Sequence, residues 1–287
     1  EVIQGVVKWT GSKKTQAADI IKYMPKEIDT YYGPFGGGAS VLMEVLSECE
    51  SGNISVNRFV ASDVNRDLIG IYNLIKYRRE NLKSYYRFHW EHLNTLEDEQ
   101  SKSEYYTALR NDYNRMPDGE ARYMAFFFLL RTCFNGLVRY NAKGEFNTAF
   151  HINRGGMRPE TLFEIIDEWS MMLNKYDVIF VCADYREVLS EVNENDFIYA
   201  DPPYANPSSK MYFSDEFNNG ELFAILGSVP CRYALSYNGK CNDVDYTFDV
   251  PDTIYRRHVY IDAKGSGFRK LQNCNTESIY ESLYLNY

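Results

Sequence analysis

The chain has 287 residues, 45% of them hydrophobic, which excludes a disordered polymer and allows one sizeable α/β domain with a smaller insertion. A net charge of −9 works against nucleic-acid binding unless positive charge is concentrated locally. Aromatic residues reach 16%, including 25 tyrosines; flat rings with a polar tip suit base stacking, but composition alone favours core packing.

Residues 15–24 read as a helix stopped by Pro25. A short β-prone segment, Asp29 to Tyr32, runs into Gly33-Pro34-Phe35-Gly36-Gly37-Gly38. The helix that follows, Ala39 to Glu48, carries Val41, Leu42, Val45 and Leu46 on one stripe. Arg58 to Ala61 reads as a strand ending at Ser62-Asp63. Strand, glycine turn, helix, strand and acid form the opening of a nucleotide-binding βαβ unit. Residues 66–115 are polar and helix-prone, and Met124 to Arg131 is an apolar helix. Two β-like runs, Leu137 to Tyr140 and Glu145 to Phe150, then flank an Asn/Lys/Gly turn and predict a β-hairpin. This interruption places an inserted domain at 76–165 between the halves 1–75 and 166–287. The alternation resumes with a helix over Pro159 to Leu173 and strands at Asp177 to Cys182, Asp196 to Ala200, Arg232 to Ser236 and Ser278 to Asn286.

Positive charge is indeed local. Between Arg122 and Pro159, Arg122, Arg131, Arg139, Lys143, Arg154 and Arg158 stand against the single acid Glu145. Between Tyr255 and Lys270, Arg256, Arg257, Lys264, Arg269 and Lys270 stand against Asp262. Such runs are usually solvated faces, yet two of them can also line one cleft. The six cysteines form no C-x-x-C pair and the four histidines are scattered, so neither a metal site nor a disulfide framework is expected. The longest apolar run, Met124 to Leu130, is too short to span a bilayer, and a soluble, reducing, cytoplasmic setting is expected.

The most informative tetrapeptide is Asp201-Pro202-Pro203-Tyr204, directly after the apolar strand Phe197 to Ala200. Ligands of open parallel sheets sit beyond the carboxyl ends of strands. The prolines fix φ and make a stiff turn that holds one carboxylate and one ring. An exocyclic nucleobase amine needs such a turn, because its lone pair is delocalised into the ring. Asp201 can accept one N–H and the Pro202 carbonyl the other, while Tyr204 stacks on the base. The plain alternative is a surface turn; the apolar strand before it and the glycine motif upstream favour a site.

In that motif the glycines let backbone approach a ligand, and the next helix points its positive end at it. It lacks both the dehydrogenase spacing and a G-K-[ST] Walker loop, which favours a nucleoside ligand. Asp63 is the expected acceptor for ribose hydroxyls, or a helix N-cap, or both. Asp184 and Tyr185 end a third strand and are candidates to bound an adenine ring.

Together these motifs resemble the Dam-type adenine-N6 DNA methyltransferases, the D12 class or group alpha. The resemblance rests on Lys8-Trp9-Thr10-Gly11-Ser12-Lys13, Pro34 to Gly38, Asp63, Arg131 through Phe150, and Asp201-Pro202-Pro203-Tyr204, in that order over nearly the whole chain. It implies a Rossmann-like methyltransferase sheet with helices on both faces, plus a mainly helical DNA-recognition insert carrying the hairpin. It also implies S-adenosylmethionine as methyl donor, double-stranded DNA as partner and, by function, a cognate restriction endonuclease. Trp9, Lys13, Phe35, Gly36, Gly37, Gly38, Asp63 and Asp201 resemble the cofactor contacts. Asp201 and Tyr204, with Pro202 and Pro203, would hold the target adenine. Lys8, Arg131, Phe134, Asn135, Leu137, Arg139 and Asn141 are the expected DNA contacts, Phe134 as a wedge and Arg139 as a major-groove reader. Ala149 stands where the GATC-reading branch often has proline, and Ser236-Tyr237-Asn238 where L-S-N-S is common; both bear on the recognition sequence, GATC or another short site such as CATG.

Two competing readings differ in class. One is methylation of RNA or a protein amide, against which Asp201 stands where amide methyltransferases more often carry Asn. The other is a DNA-binding protein with an inactive cofactor pocket.

Overall fold

A computed structural model describes residues 3–203, 217–242, 244–263 and 279–287. Its frame is an eight-stranded sheet. The strands are β1 (Glu27–Gly33), β2 (Ser55–Asp63), β3 (Ile179–Cys182), β4 (Phe197–Ala200), β5 (Arg232–Cys241), β6 (Val244–Asp245), β7 (Arg257–Asp262) and β8 (Ile279–Leu285). Their order is β3-β2-β1-β4-β5-β8-β7, with the short β6 paired to β5. Strands β1 to β5 pair in parallel, while β8 inserts antiparallel between β5 and β7. This is the expected α/β, Rossmann-like class. All four residues of β4 are buried, as a parallel strand covered on both faces requires. Two strands went unread in the sequence: the two-residue β6, and β7 in the basic stretch, where its charged residues hid an edge strand.

The helices are α1 (Ala17–Ile21), α2 (Ser40–Glu50), α3 (Arg66–Tyr77), α4 (Arg79–Thr95), α5 (Glu99–Arg115), α6 (Glu120–Thr132), α7 (Pro159–Lys175), α8 (Tyr185–Leu189) and α9 (Asn219–Ser228). Helix α2 buries the predicted stripe Val41, Leu42, Val45 and Leu46. Helix α6 has no polar face over Ala125 to Leu130, and all six residues are fully buried. It is the axis around which α3, α4 and α5 pack. One continuous core joins these helices to the sheet, with Trp169 stacked on Tyr72 and Tyr113 on Phe126. Many tyrosines serve as core, the plainer of the two readings of their abundance.

Two expectations are corrected. The predicted hairpin is not a ladder: Leu137 to Phe150 closes through single antiparallel bridges at Tyr140–Phe146 and Cys133–Phe150. Backbone bonds from Asn141 N–H to the Glu145 carbonyl and from Asn147 N–H to the Arg139 carbonyl hold the tip, and side chains hold the rest. The Thr148 hydroxyl donates to the Leu137 carbonyl and accepts from the Arg139 N–H, and Asn114 brackets the backbone of Phe146 from α5. In addition, Cys241 at the end of β5 is disulfide-bonded, where only thiols were expected. Among the described residues no helix is long and apolar enough to cross a membrane.

Candidate active site

The carboxyl ends of β1, β2 and β4 lie side by side, because Gly33 pairs with Ala61 of β2 and Tyr32 with Ile198 of β4. At the end of β1 the chain turns into the glycine loop. The Gly36 N–H donates to the Ser62 carbonyl at 2.8 Å, and a Cβ on Gly36 would crowd that carbonyl at 3.1 Å. Gly37 adopts φ +47°, and a Cβ on Gly37 or on Gly38 would meet Trp9 at 3.2 Å. The loop therefore needs its glycines in order to lie flush under the indole. Its Gly37 N–H donates to Asp63 Oδ2 at 3.0 Å, and its Gly37 carbonyl accepts from the Tyr72 hydroxyl at 2.5 Å.

Asp63 takes a second N–H, from Asn65, on Oδ1. Burial pushes its carboxyl above the ordinary range, and the N–H donors offset part of that. The N-cap of α3 is Asn65, not Asp63. Asp63 braces the loop and still has lone pairs for a ribose hydroxyl. Asp184 caps α8 and pairs with Arg186. Tyr185 is buried beside the half-buried Phe35, ring centres 5.2 Å apart, so Phe35 is the more accessible side of that aromatic wall.

Asp201 follows β4 with its side chain 19% exposed, and Lys13 Nζ lies 3.3 Å from its Oδ1. The same ammonium is 3.2 Å from Glu281 Oε2 on β8. Burial works against the Lys13 charge, but the two carboxylates outweigh it and raise its pKa. Pro202 is buried and Pro203 exposed, while Tyr204 lies outside the described residues. The front loop is thus the hub: Trp9 covers the glycines, Ser12 bonds Ser40 at the start of α2, and Lys13 reaches Asp201. Glu281, Tyr72 and Ser40 were missed from sequence. For Glu281 a signal existed, an acid inside the otherwise apolar strand β8.

Against this loop sits the turn that opens the segment Phe134 to Phe150. Gly136 has φ +64°, and a Cβ there would stand 2.5 Å from Lys8 Cβ, so Lys8 and the Phe134–Gly136 turn are in contact. Phe134 is 46% exposed and stacks on His151; Asn135 and Arg139 are exposed and Leu137 is half-buried. Two expected DNA contacts are engaged within the protein instead. Arg131 is 7% exposed, with its guanidinium 3.5 Å from both the Val6 carbonyl and the Met157 sulfur, because it lies on the buried helix α6. Asn141 accepts from the Lys143 and Glu145 N–H groups and closes its own turn. Arg122 is likewise engaged, on Asp67.

The edge of the sheet thus offers acceptors and a ring face: a carboxylate at a strand end, an aromatic wall at Phe35 and two acids paired with Lys13. The family model for D12 class N6 adenine-specific DNA methyltransferases matches residues 9–264. Similar proteins include a DNA adenine methylase of Vibrio cholerae serotype O1, 29% identical over 254 residues, covering 88% of this chain and 83% of the relative. A DNA adenine methylase of Serratia marcescens is 30% identical over 223 residues, 78% of this chain and 75% of that one. The type II methyltransferase M.MjaIII of Methanocaldococcus jannaschii is 28% identical over 312 residues, 99% of each.

Proposed function

Because the chain belongs to the D12 class of N6 adenine-specific DNA methyltransferases, we propose that it transfers a methyl group from S-adenosylmethionine to N6 of an adenine turned out of double-stranded DNA. The observation that carries this reading is Asp201, held by the buried Lys13 beside the glycine loop at the carboxyl edge of the sheet.

S-adenosylmethionine supplies an electrophilic methyl on a cationic sulfur. The chain's own residues do the rest by positioning. Asp63 accepts ribose hydroxyls, Gly37 and Gly38 leave room for close approach under Trp9, and Phe35 lines the wall. Asp201 and the Pro202 carbonyl accept the two N6 hydrogens. That localises the lone pair on nitrogen for in-line displacement, and Asp201 is placed to take the proton released.

Residues 76–165 would form the target-recognition unit, joined to a catalytic unit of 1–75 and 166–287. Extruding a stacked adenine costs a few kcal/mol, and the exposed Phe134 ring is a suitable wedge for the gap. Lys8 and Arg139 would meet base edges, with Asn135 and Leu137 beside them. A short palindrome is the expected target, GATC first and CATG second, and a cognate endonuclease is its natural functional companion.

The test is methylation of a plasmid of known sequence by the purified protein, with every N6-methyladenine mapped. Asp201→Ala should lower turnover by about 10²–10³-fold or more, as loss of a preorganised polar group at a reacting centre does. Substantial turnover by that variant would defeat the reading.

A further inference from the structure

We propose that Glu281 is a positioning residue for the methyl transfer, acting on Asp201 through Lys13; the inference rests on the function proposed above. Glu281 is 5% exposed and lies on β8, two strands from Asp201 in the sheet order. Its Oε2 and Asp201 Oδ1 lie 3.2 and 3.3 Å from one ammonium, so the two oxygens are within about 6.5 Å of each other. Two carboxylates at that range inside a protein repel one another unless a cation stands between them. Lys13 is that cation, and at 3% exposure its stem has little room to swing away.

Geometry gives Glu281 its leverage. Lys13 comes from the front loop, and Asp201 sits on a turn after β4; neither is inside a regular element. Glu281 is the member fixed by a ladder, since Ser282 pairs with Tyr237 of β5 and Glu281 itself with Ile261 of β7. Beside it β5 bulges between Tyr237 and Lys240, and Gly239 has no room for a Cβ against the backbone of Tyr280 and Glu281. That close approach presses β8 against the end of β5 and holds Glu281 in place. A buried carboxylate in an apolar strand is costly, and here it anchors the lysine that orients Asp201. Among the described residues, the titratable groups coupled to these carboxylates include Tyr199 of β4 and, behind it, Tyr31 of β1. Both hydroxyls have pKa values raised far from neutrality by burial, so neither competes for the charge.

The experiment compares Glu281→Gln, Lys13→Met and the double variant with the unchanged protein. Melting midpoint, S-adenosylmethionine affinity by calorimetry, and kcat and KM on duplex DNA are read for each. Glu281→Gln, close in shape, should lower kcat about tenfold or more with KM for DNA unchanged. Lys13→Met should lower kcat further, because two facing carboxylates lose their shared cation. The double variant should recover at least about tenfold over Lys13→Met, since Asp201 then no longer faces a second buried carboxylate across the vacated lysine position. A structural role alone would make the double variant the worst of the three. Wild-type kcat in Glu281→Gln, or no recovery in the double variant, overturns the inference. If the unchanged protein transfers no methyl to adenine, the proposed function falls and this inference with it.

Discussion

Arg139 shows how much a single side chain's surroundings decide. It is exposed, and its backbone N–H is held by the Thr148 hydroxyl, three residues past the turn at Gly136 that touches Lys8. Arg131, eight positions earlier on the same basic stretch, is buried on α6 and held by Val6 and Met157. An arginine reading a guanine edge contributes about 1–3 kcal/mol of discrimination. Arg139→Ala should therefore relax sequence choice by about tenfold or more while costing less on the best site. A panel of duplexes with single mismatches measures this, and an unchanged ranking of sites would assign Arg139 to phosphate. The letters R and N in the recognition stretch were legible as polar candidates. Which of them are exposed was not, because exposure follows from helix phase and loop closure. The same holds at the reacting centre, where Asp201 stood out by its prolines and Glu281 stayed hidden in a strand.

At the scale of elements, the front loop and the Phe134–Gly136 turn work as one unit. The turn keeps Gly136 in the left-handed region with no space for a Cβ above Lys8. Gly136→Ala should displace the turn and raise KM for DNA by about tenfold, leaving S-adenosylmethionine affinity within twofold. Steady-state kinetics together with calorimetry separate the two effects; loss of both would mean that the loop fails as a whole. Strand β4 and helix α6 were readable in the sequence because burial on all sides leaves an unbroken apolar run. The hairpin was misread for a related reason. The run Leu137 to Tyr140 looks like a strand, but beyond the Tyr140–Phe146 bridge the Thr148 side chain takes the Leu137 carbonyl and the Arg139 N–H that a longer ladder would have paired.

Over the whole molecule, a net charge of −9 and an expected polyanionic substrate are reconciled by placement. Of the first basic stretch, Arg122 and Arg131 are consumed internally, leaving Arg139, Lys143, Arg154 and Arg158 exposed. Each phosphate contact contributes about 0.9 to the slope of log affinity against log salt. Removing Arg154 and Arg158 together should flatten that slope by about 1.8, and a slope that does not move would make both of them solvated charges. The sequence alone determined the α/β alternation, the glycine loop, the proline-braced acid and the family they belong to. Those features depend on local periodicity and turn chemistry, which neighbouring residues carry. Only the tertiary structure decided that Lys13, Asp201 and Glu281 meet, that β8 inserts between β5 and β7, and which arginines remain outside. These contacts join residues far apart in the chain, and burial and shared charge, not local preference, select them.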